Sequence, residues 1–391
     1  MHRCNGGGED RVWMGQALAL AAVADGTTSP NPRVGCLLVR EGRIVGRGFH
    51  QKAGGPHAEV VAIREAGDRA RGATLYVSLE PCAHHGRTPP CADLVPTSGV
   101  TRVVVAMQDP NPLVDGRGLD RLRRAGLQVD VGTLAEEAER VNEPFSSWHR
   151  RARPLVTVKA ALSLDGLLSA DRGRAQWITG PAARRFAHRL RLRSDAVLIG
   201  AGTARQDDPR LTVRLPGAGR QPLRVIVSGS LDLHPGGKIF EAGPPASKPP
   251  RVYSLDRVHS SRRRRLEPKA EIVSVGPDRE GRPDLRAVLQ HLAEEGVQSV
   301  LVEGGGATIY SFLAAGLVDR AALFYAPKIL GARGATPLAD GPAVSKPLEG
   351  ILLESRRVFS LGEDLVVMGR VANGATGIAG GGAGGAGCSR D

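Results

Sequence analysis

Apolar residues along the chain switch between helical and strand-like spacing, and the switching predicts two successive α/β alternations. Residues 11–24 (RVWMGQALALAAVA) carry apolar side chains at helical spacing and run into Asp25-Gly26, which predicts a helix and its stop. Segments 35–40 and 44–49 flank Glu41-Gly42-Arg43 and predict a hairpin. The pattern then predicts helix 57–67, strand 73–79, helix 89–99, strand 102–107, helix 119–125, strand 127–131 and helix 134–148. An opening hairpin followed by strand–helix alternation predicts an α/β domain with helices on both faces of a mixed sheet.

The basic, proline-containing stretch 149–154 reads as a linker. Beyond it the pattern predicts strand 155–161, helix 182–193, strands 195–199 and 223–227, helix 284–295, strand 299–302, helix 307–315 and strands near 321–326 and 365–370. This is a second α/β domain. Residues 235–250, rich in Pro and Gly, read as a surface loop. Residues 373–391 are almost all Gly and Ala, bury too little to offset ordering, and are expected to be disordered, with Cys388 among them. The organisation expected is therefore 1–149, a linker at 150–153, a second domain at 154–372, and a tail.

Composition narrows the class. No apolar run reaches the ~20 residues of a membrane helix, which excludes an integral membrane protein, and the first residues show no secretory signal. Five scattered cysteines (Cys4, Cys36, Cys82, Cys91, Cys388) make no disulfide scaffold and point to a reducing, cytoplasmic setting, where thiols bind metal or do chemistry. The 53 Lys and Arg against 40 Asp and Glu give +13. That charge raises nucleic acid, an anionic membrane surface or phosphorylated small molecules as partners. The cations are spread along the chain, with one run at 262–265, and read as a solvated surface; at 4% aromatic residues, stacking platforms for single strands are scarce.

The sharpest chemical signal is His57-Ala58-Glu59, followed by Pro81-Cys82 and then Cys91. One imidazole and two thiolates are a zinc donor set that leaves a fourth position for water. Zinc lowers the pKa of that water to ~7, and Glu59, two residues past the ligand, is placed to carry protons. H-x-E…P-C…C is the signature of zinc-dependent nucleobase deaminases. Their cysteines usually stand two residues apart. Here eight residues intervene, and His84, His85 and Arg87 among them suit a phosphate. In the second half Gly304–Gly306 and Gly200-Ala201-Gly202-Thr203 each follow a predicted strand. Such glycines admit a pyrophosphate to backbone N–H groups, or simply make turns; neither is a full G-x-G-x-x-G, which disfavours a Rossmann domain.

HAEVVAIREAG, LEPCAHHGRTPPCADLV and MQDPNP, with the preceding SPNPRVGCLLV and GRGFHQKAGGPHAE, resemble the bifunctional riboflavin-biosynthesis deaminase/reductase family. KAALSLDG, QWIT, DDP, VEGGG and APKILG extend the resemblance over about 154–371. It implies a cytidine-deaminase-like three-layer α/β/α domain followed by a dihydrofolate-reductase-like α/β domain, with Zn2+ and NADPH as cofactors. It implies zinc ligands His57, Cys82 and Cys91, the catalytic acid/base Glu59, and deaminase substrate contacts from Asn31, His50, His84, Arg87, Asp109 and Asn111. Cofactor contacts are implied for Ala161, Trp177, Thr203, Asp207, Gly305, Gly306, Ala307, Thr308, Ile309, Tyr310 and Ser311. Reductase substrate contacts are implied for Lys159, Arg191, Leu211, Arg214 and Glu303, with Arg191 and Arg214 suited to grip a phosphate in bidentate fashion.

The implied substrate is 2,5-diamino-6-(5-phosphoribosylamino)pyrimidin-4(3H)-one, deaminated and then reduced at its ribosyl group. Neither nucleic acid nor membrane is an implied partner, and a homo-oligomer is left open. Ala175 and Ser228-Gly229 depart from the family's usual Ser and Asp-Ser. They motivate one rival reading, a deaminase whose second domain has decayed into a binding module. The shared zinc signature and the positive charge motivate another, a nucleic-acid base deaminase.

Overall fold

Alternate residues of the central strands in the first half face two separate apolar layers, the period-2 signature of a sheet covered on both sides. The computed structural model describes residues 6–24, 26–84, 90–171, 177–245, 247–331, 333–343, 346 and 349–372. The chain divides into two units, Met1–Pro154 and Leu155–Asp391.

The first unit runs α1 (Gly6–Val23), β1 (Gly35–Arg40), β2 (Arg43–Phe49), α2 (Ala58–Ala66), β3 (Thr74–Val77), α3 (Cys91–Thr97), β4 (Arg102–Val105), α4 (Arg117–Arg124), β5 (Gln128–Val131), α5 (Ala135–Val141) and α6 (Glu143–Arg151). Its five-stranded sheet, counted among the described residues, has the order β2-β1-β3-β4-β5. The β1–β2 hairpin and the β1–β3 pair are antiparallel, and β3, β4 and β5 run parallel. Cys36, Leu38, Leu75, Val77, Val103 and Val105 pack with Ala58 and Ala62 of α2, Val95 of α3, and Leu119 and Leu122 of α4. Leu37, Val39, Tyr76 and Val104 pack on the other side with Met14 and Ala17 of α1, Ala138 of α5 and Phe145 of α6. Helix α2 lies unusually close to β2: a Cβ at Gly48 would sit 2.4 Å from the Ala58 carbonyl oxygen. That approach fixes the start of α2, where the HAE motif lies.

The single helix expected at 134–148 is two helices parted at Asn142. The Asn142 side chain accepts from the Arg33 N–H (2.8 Å) and donates to the Arg33 carbonyl (2.9 Å). Pro144 restarts the chain as one of the first residues of α6, since in a continuous helix it would lack a bond and clash with the preceding turn. The expected linker is also helical as far as Arg151, and its cations suit the negative end of the helix dipole.

The second unit runs β6 (Leu155–Leu162), β7 (Leu167–Ser169), α7 (Pro181–Arg193), β8 (Ala196–Gly200), α8 (Ala201–Asp207), β9 (Leu223–Val227), β10 (Arg251–Leu255), α9 (Ser260–Leu266), β11 (Glu271–Val275), α10 (Leu285–Glu294), β12 (Ser299–Val302), α11 (Gly306–Ala314), β13 (Arg320–Tyr325), β14 (Thr336–Pro337), β15 (Leu353–Leu361) and β16 (Asp364–Val371). Among the described residues its main sheet has nine strands in the order β11-β10-β9-β8-β12-β6-β13-β16-β15. The strands from β11 to β13 are parallel, and β16 and β15 add an antiparallel edge. Val288, Leu292, Ile309 and Phe312 of α10 and α11 cover one face. The other is covered by Leu266 of α9, together with Leu211, Leu233, Ile239 and Phe240 from the loops, and by Ala183 of α7.

The segment 235–250 is more than a surface loop. Ile239 and Phe240 are buried, and the buried Arg224 guanidinium donates to the carbonyls of Ile239, Glu241 and Lys248. The arginine run 262–265 lies on α9, largely exposed as expected of a solvated face. The tail from 373 onward, with Cys388, and Cys4 at the other end lie outside the described residues.

Candidate active sites

Three loop-and-helix junctions of the first unit meet at the expected metal ligands. His57 caps the N-terminus of α2, Cys91 opens α3, and Cys82 follows β3 by five residues. Their ligand atoms all lie within 4.8 Å of one another. His57 Nδ1 is 3.2 Å from Cys91 Sγ and 3.5 Å from Cys82 Sγ. A tetrahedral zinc bonded at about 2.3 Å to sulfur and about 2.0 Å to nitrogen sets such donors roughly 3.5 Å apart. The residues present therefore fit the ion.

The Cys91 backbone N–H donates to Cys82 Sγ at 3.3 Å. Hydrogen bonds from the Cys91 thiol and the His57 ring pull the Cys82 thiol down to about 4. The second thiol, beside that first sulfur, resists ionisation. Glu59 is 3% exposed. Burial pushes it up to about 7, and its carboxyl interacts with Cys91.

Asn31 and His50 sit beside the ligands. His50 Nδ1 lies 3.0 Å from the Pro56 carbonyl, and Asn31 Nδ2 lies 3.2 Å from His50 Nε2. A carbonyl only accepts, so Nδ1 carries the proton and Nε2 accepts from Asn31. Burial lowers the His50 pKa and keeps this neutral form. Its ring packs edge-on to His57 with centroids 5.6 Å apart. Asp109 is buried and pushed up to about 7 by that burial. It accepts from the Asn111 N–H at 2.9 Å, and Asn111 accepts from the Leu113 N–H at 3.0 Å. His84 is exposed, two residues past Cys82. Arg87 and His85 lie outside the described residues.

One residue the sequence reading passed over joins these parts. Glu80 is buried and accepts four backbone N–H bonds, from Asp109, Gly116, Gly118 and Leu119. An acid at the end of an apolar strand, just before Pro81-Cys82, was the available signal.

In the second unit Glu303 directly follows β12 and faces Arg191 of α7. The guanidinium grips both carboxylate oxygens, at 2.7 and 2.9 Å, and gives a third N–H to the Thr212 carbonyl at 3.0 Å. Burial alone would raise Glu303; the Arg191 charge and hydrogen bonds override it and hold it at about 2. The fork of Arg191 is thus engaged by Glu303. Lys159 of β6 lies 5.7 Å from the Phe324 ring centroid, and burial lowers its pKa against the pull of Glu303. Arg214 is exposed, and its backbone N–H donates to His188 Nδ1 at 3.3 Å. Leu211 is 2% exposed, with its side chain in the core and φ at +53°. It offers only backbone to a ligand.

A cavity of about 1060 Å³ opens at the C-terminal ends of β8, β9 and β12, the place where open parallel sheets bind ligands. Gly200, Thr203, Gly305, Gly306, Ala307, Thr308, Tyr310 and Ser311 line it. Its volume slightly exceeds the range of drug-sized pockets, which suits a dinucleotide. The Ser228 hydroxyl, between two lining residues, is buried with no partner. These features fit a nicotinamide dinucleotide.

The glycines serve a further purpose. The Gly305 N–H donates to Thr203 Oγ1 at 2.8 Å, so it is not free for a pyrophosphate. A Cβ at Gly200 would lie 2.3 Å from Thr308 Oγ1, and one at Gly304 would lie 2.6 Å from Thr308 Cβ. Both glycines admit Thr308. The Ile309 side chain is fully buried in the core, so a contact from this residue would come from its backbone. Ala161, Asp207 and Trp177 stand outside the described lining. Trp177 is 72% exposed, with the Arg184 guanidinium 4.8 Å from its ring. Ala175 lies outside the described residues.

The cytidine and deoxycytidylate deaminase zinc-binding region family matches residues 8–107, and the RibD C-terminal domain family matches residues 154–367. The chain is 42% identical to the riboflavin biosynthesis protein RibD of Aquifex aeolicus (strain VF5), over 92% of this chain and 97% of that one. It is 39% identical to RibD of Escherichia coli (strain K12), over 91% and 98%. Among solved structures, Acinetobacter baumannii RibD, form 1, superposes with a TM-score of 0.84 at 36% identity, covering 93% of this chain and 99% of that one. The diaminohydroxyphosphoribosylaminopyrimidine deaminase/5-amino-6-(5-phosphoribosylamino)uracil reductase of Thermotoga maritima does so with a TM-score of 0.81 at 35% identity, covering 93% and 99%.

Proposed function

Because the chain belongs to the RibD family, and is a bifunctional riboflavin-biosynthesis deaminase and reductase using Zn2+ and NADPH, we propose which of its residues carry each step. The deaminase site belongs to residues 1–149 and the reductase site to 154–372, joined at 150–153. The reading rests above all on the convergence of His57, Cys82 and Cys91 within 4.8 Å, with the buried Glu59 beside them.

His57, Cys82 and Cys91 hold the zinc ion, which supplies a Lewis acid that acidifies water. Glu59 takes the proton that water gives up. The water oxygen adds to the ring carbon bearing the exocyclic amine as Glu59 passes that proton to the ring nitrogen. Glu59 then carries the second proton from the added hydroxyl to the amine, the C–N bond breaks, ammonia leaves and a ring carbonyl remains. Asn31 locks His50, and His50 shapes the wall beside His57 without acting as a base, because its Nε2 lone pair is already engaged. Asp109, Asn111, His84 and Arg87 hold the phosphorylated pyrimidine, 2,5-diamino-6-(5-phosphoribosylamino)pyrimidin-4(3H)-one.

In the second unit NADPH supplies the hydride that opens the ribosyl group to a ribityl phosphate. Gly305, Gly306, Ala307, Thr308, Tyr310 and Ser311 bind it, with Thr203 holding the Gly305 backbone. Lys159 stands near the reacting ribose, and the Arg191–Glu303 pair orients that wall. Arg214, exposed and with no carboxylate ion pair among the described residues, takes the phosphate. The setting is the cytoplasm, a reading supported by three described cysteines that form no disulfide; no described helix is long and apolar enough to cross a membrane.

The test is the full chain supplied with the diamino substrate and NADPH, followed by ammonia release and by nicotinamide absorbance. Both signals are expected. Glu59→Gln is expected to keep zinc and lose ammonia release while still oxidising NADPH on the deaminated intermediate. Substantial ammonia release by that variant would remove Glu59 from the mechanism. Ammonia release without any NADPH oxidation by the parent would leave the second unit a binding module.

A further inference from the structure

Glu80 lies between β3 and the zinc ligand Cys82, and its carboxylate is spent entirely on a distant stretch of backbone. Oε2 accepts from Asp109 N–H at 3.1 Å and from Gly116 N–H at 3.0 Å. Oε1 accepts from Gly118 N–H at 2.8 Å and from Leu119 N–H at 3.3 Å. Helix α4 begins at Arg117 after Gly116, whose φ of +84° and missing side chain leave it without a side-chain cap. The first N–H groups of a helix need acceptors from outside it. Glu80 supplies them from another part of the chain, and its negative charge suits the positive end of the helix.

The packing confirms how closely the two segments are held. A Cβ at Gly118 would lie 2.0 Å from the Pro81 carbonyl oxygen, and the Glu80 N–H donates to the Met107 carbonyl at 3.0 Å. The chain is thus tied on both sides of the 108–116 loop to the residues that lead into Cys82. Within that loop the order continues: Asp109 accepts from Asn111 N–H, and Asn111 from Leu113 N–H.

We propose that Glu80 is a positioning residue for the deaminase step, a clamp that sets Asp109 and Asn111 at a fixed distance from the metal ligands. The proposal rests on the reading that Asp109 and Asn111 contact the pyrimidine substrate. Every donor that Glu80 serves is a backbone N–H, so an ionised carboxylate is the side chain that fits; an amide would turn its own N–H groups toward some of those donors. The hydrogen bonds described for the Glu80 carboxylate go to this backbone and not to His57, Cys82 or Cys91. It acts through the loop.

The experiment compares the full-length, zinc-loaded parent with Glu80→Gln and Glu80→Asp. In Glu80→Gln the zinc content is expected to stay at the parent's level. KM for the diamino substrate is expected to rise roughly tenfold or more with a smaller fall in kcat, the signature of lost binding geometry. NADPH oxidation on the deaminated intermediate is expected to be unchanged. Hydrogen exchange should quicken at the amides of Asp109, Gly116, Gly118 and Leu119. Glu80→Asp keeps the charge and should recover part of the KM; if Glu80→Gln does not yield soluble chain, the same comparison is read from Glu80→Asp.

Faster exchange at those amides with an unchanged KM would overturn the proposal. So would a loss of zinc in step with activity, which would make Glu80 a support of the metal site alone. Asp109→Asn and Asn111→Ala separate the underlying reading. If they leave KM untouched while Glu80→Gln raises it, the two residues are not substrate contacts, and the clamp acts on another part of the loop.

Discussion

Replacing Glu303 with Gln tests whether the reductase wall is held by a carboxylate that stays ionised far below its ordinary range. The native group titrates at about 2 against 4.5 for a free side chain. At about 1.36 kcal/mol per decade, that difference is worth roughly 3 kcal/mol of stability at neutral pH. It agrees with the about 3–5 kcal/mol that removing one partner of a buried ion pair costs. The side chains of Arg191 and Glu303 are 14% and 10% exposed, so solvent screens the pair little.

A depressed carboxyl contributes fully above its unfolded value and loses that contribution as pH falls toward its native one. The Glu303 contribution is therefore whole above about pH 4.5 and gone near pH 2, with about 2 kcal/mol lost by pH 3. Arg191, Lys159 and His188 are the charged or titratable groups acting on it. His188 has its own downward shift, to about 4, caused by burial and then by Arg191 and Arg214. Its contribution is present above 6.5 and fades toward 4; the Glu303 charge opposes that downward shift, so the difference between the two proteins reports Glu303 together with its coupling to His188.

Hydrogen-exchange mass spectrometry across a urea series reads peptides of each unit separately in the full chain. The reductase unit of Glu303→Gln should be less stable than the parent's by about 3–5 kcal/mol at pH 7, and the gap should narrow by about 2 kcal/mol at pH 3. The deaminase unit should not respond. Parallel pH profiles in the two proteins would refute the argument, because they would mean that Arg191 does not hold Glu303 ionised.

Cys91→Ala leaves only an imidazole and one thiol of the three donors that lie within 4.8 Å. It should lose zinc by elemental analysis and ammonia release with it, while NADPH oxidation on the deaminated intermediate persists. Gly200→Ala places a Cβ 2.3 Å from Thr308 Oγ1, an overpacking worth about 1–3 kcal/mol. It should weaken NADPH binding in a fluorescence titration while ammonia release stays at the parent's level; an unchanged NADPH affinity would mean that Thr308 can give way to the added methyl group.

What was legible in the sequence was whatever left a local mark. The helices of the first unit showed because their apolar spacing is regular. The zinc donors showed because His57-Ala58-Glu59 and Pro81-Cys82 are short motifs carried on predicted elements. Strands β10 and β11 escaped notice because each is only five residues long with a serine inside its apolar run. Strand β15 escaped because it is a sheet edge exposed along most of its length, so no inward face imposes alternation on Leu353–Leu361.

The pairings that hold the sites in shape were illegible for a different reason. Arg191 and Glu303 are 112 positions apart, and Asn142 and Arg33 are 109 apart. Each is an ordinary polar residue until the fold supplies its partner. The same device recurs in both units: a polar side chain satisfies the backbone of a segment remote in sequence. Asn142 does so for Arg33, Glu80 for the loop before α4, Thr203 for Gly305, and Asp165 for Leu330 and Gly331. A buried or half-buried N–H left without an acceptor costs about 1–3 kcal/mol, so each clamp selects one arrangement of two loops over its alternatives. Motifs therefore identified which atoms do chemistry. The distances between those atoms are set by acceptors that no motif contains, and substitutions at the clamps should move KM and local exchange before they unfold the chain.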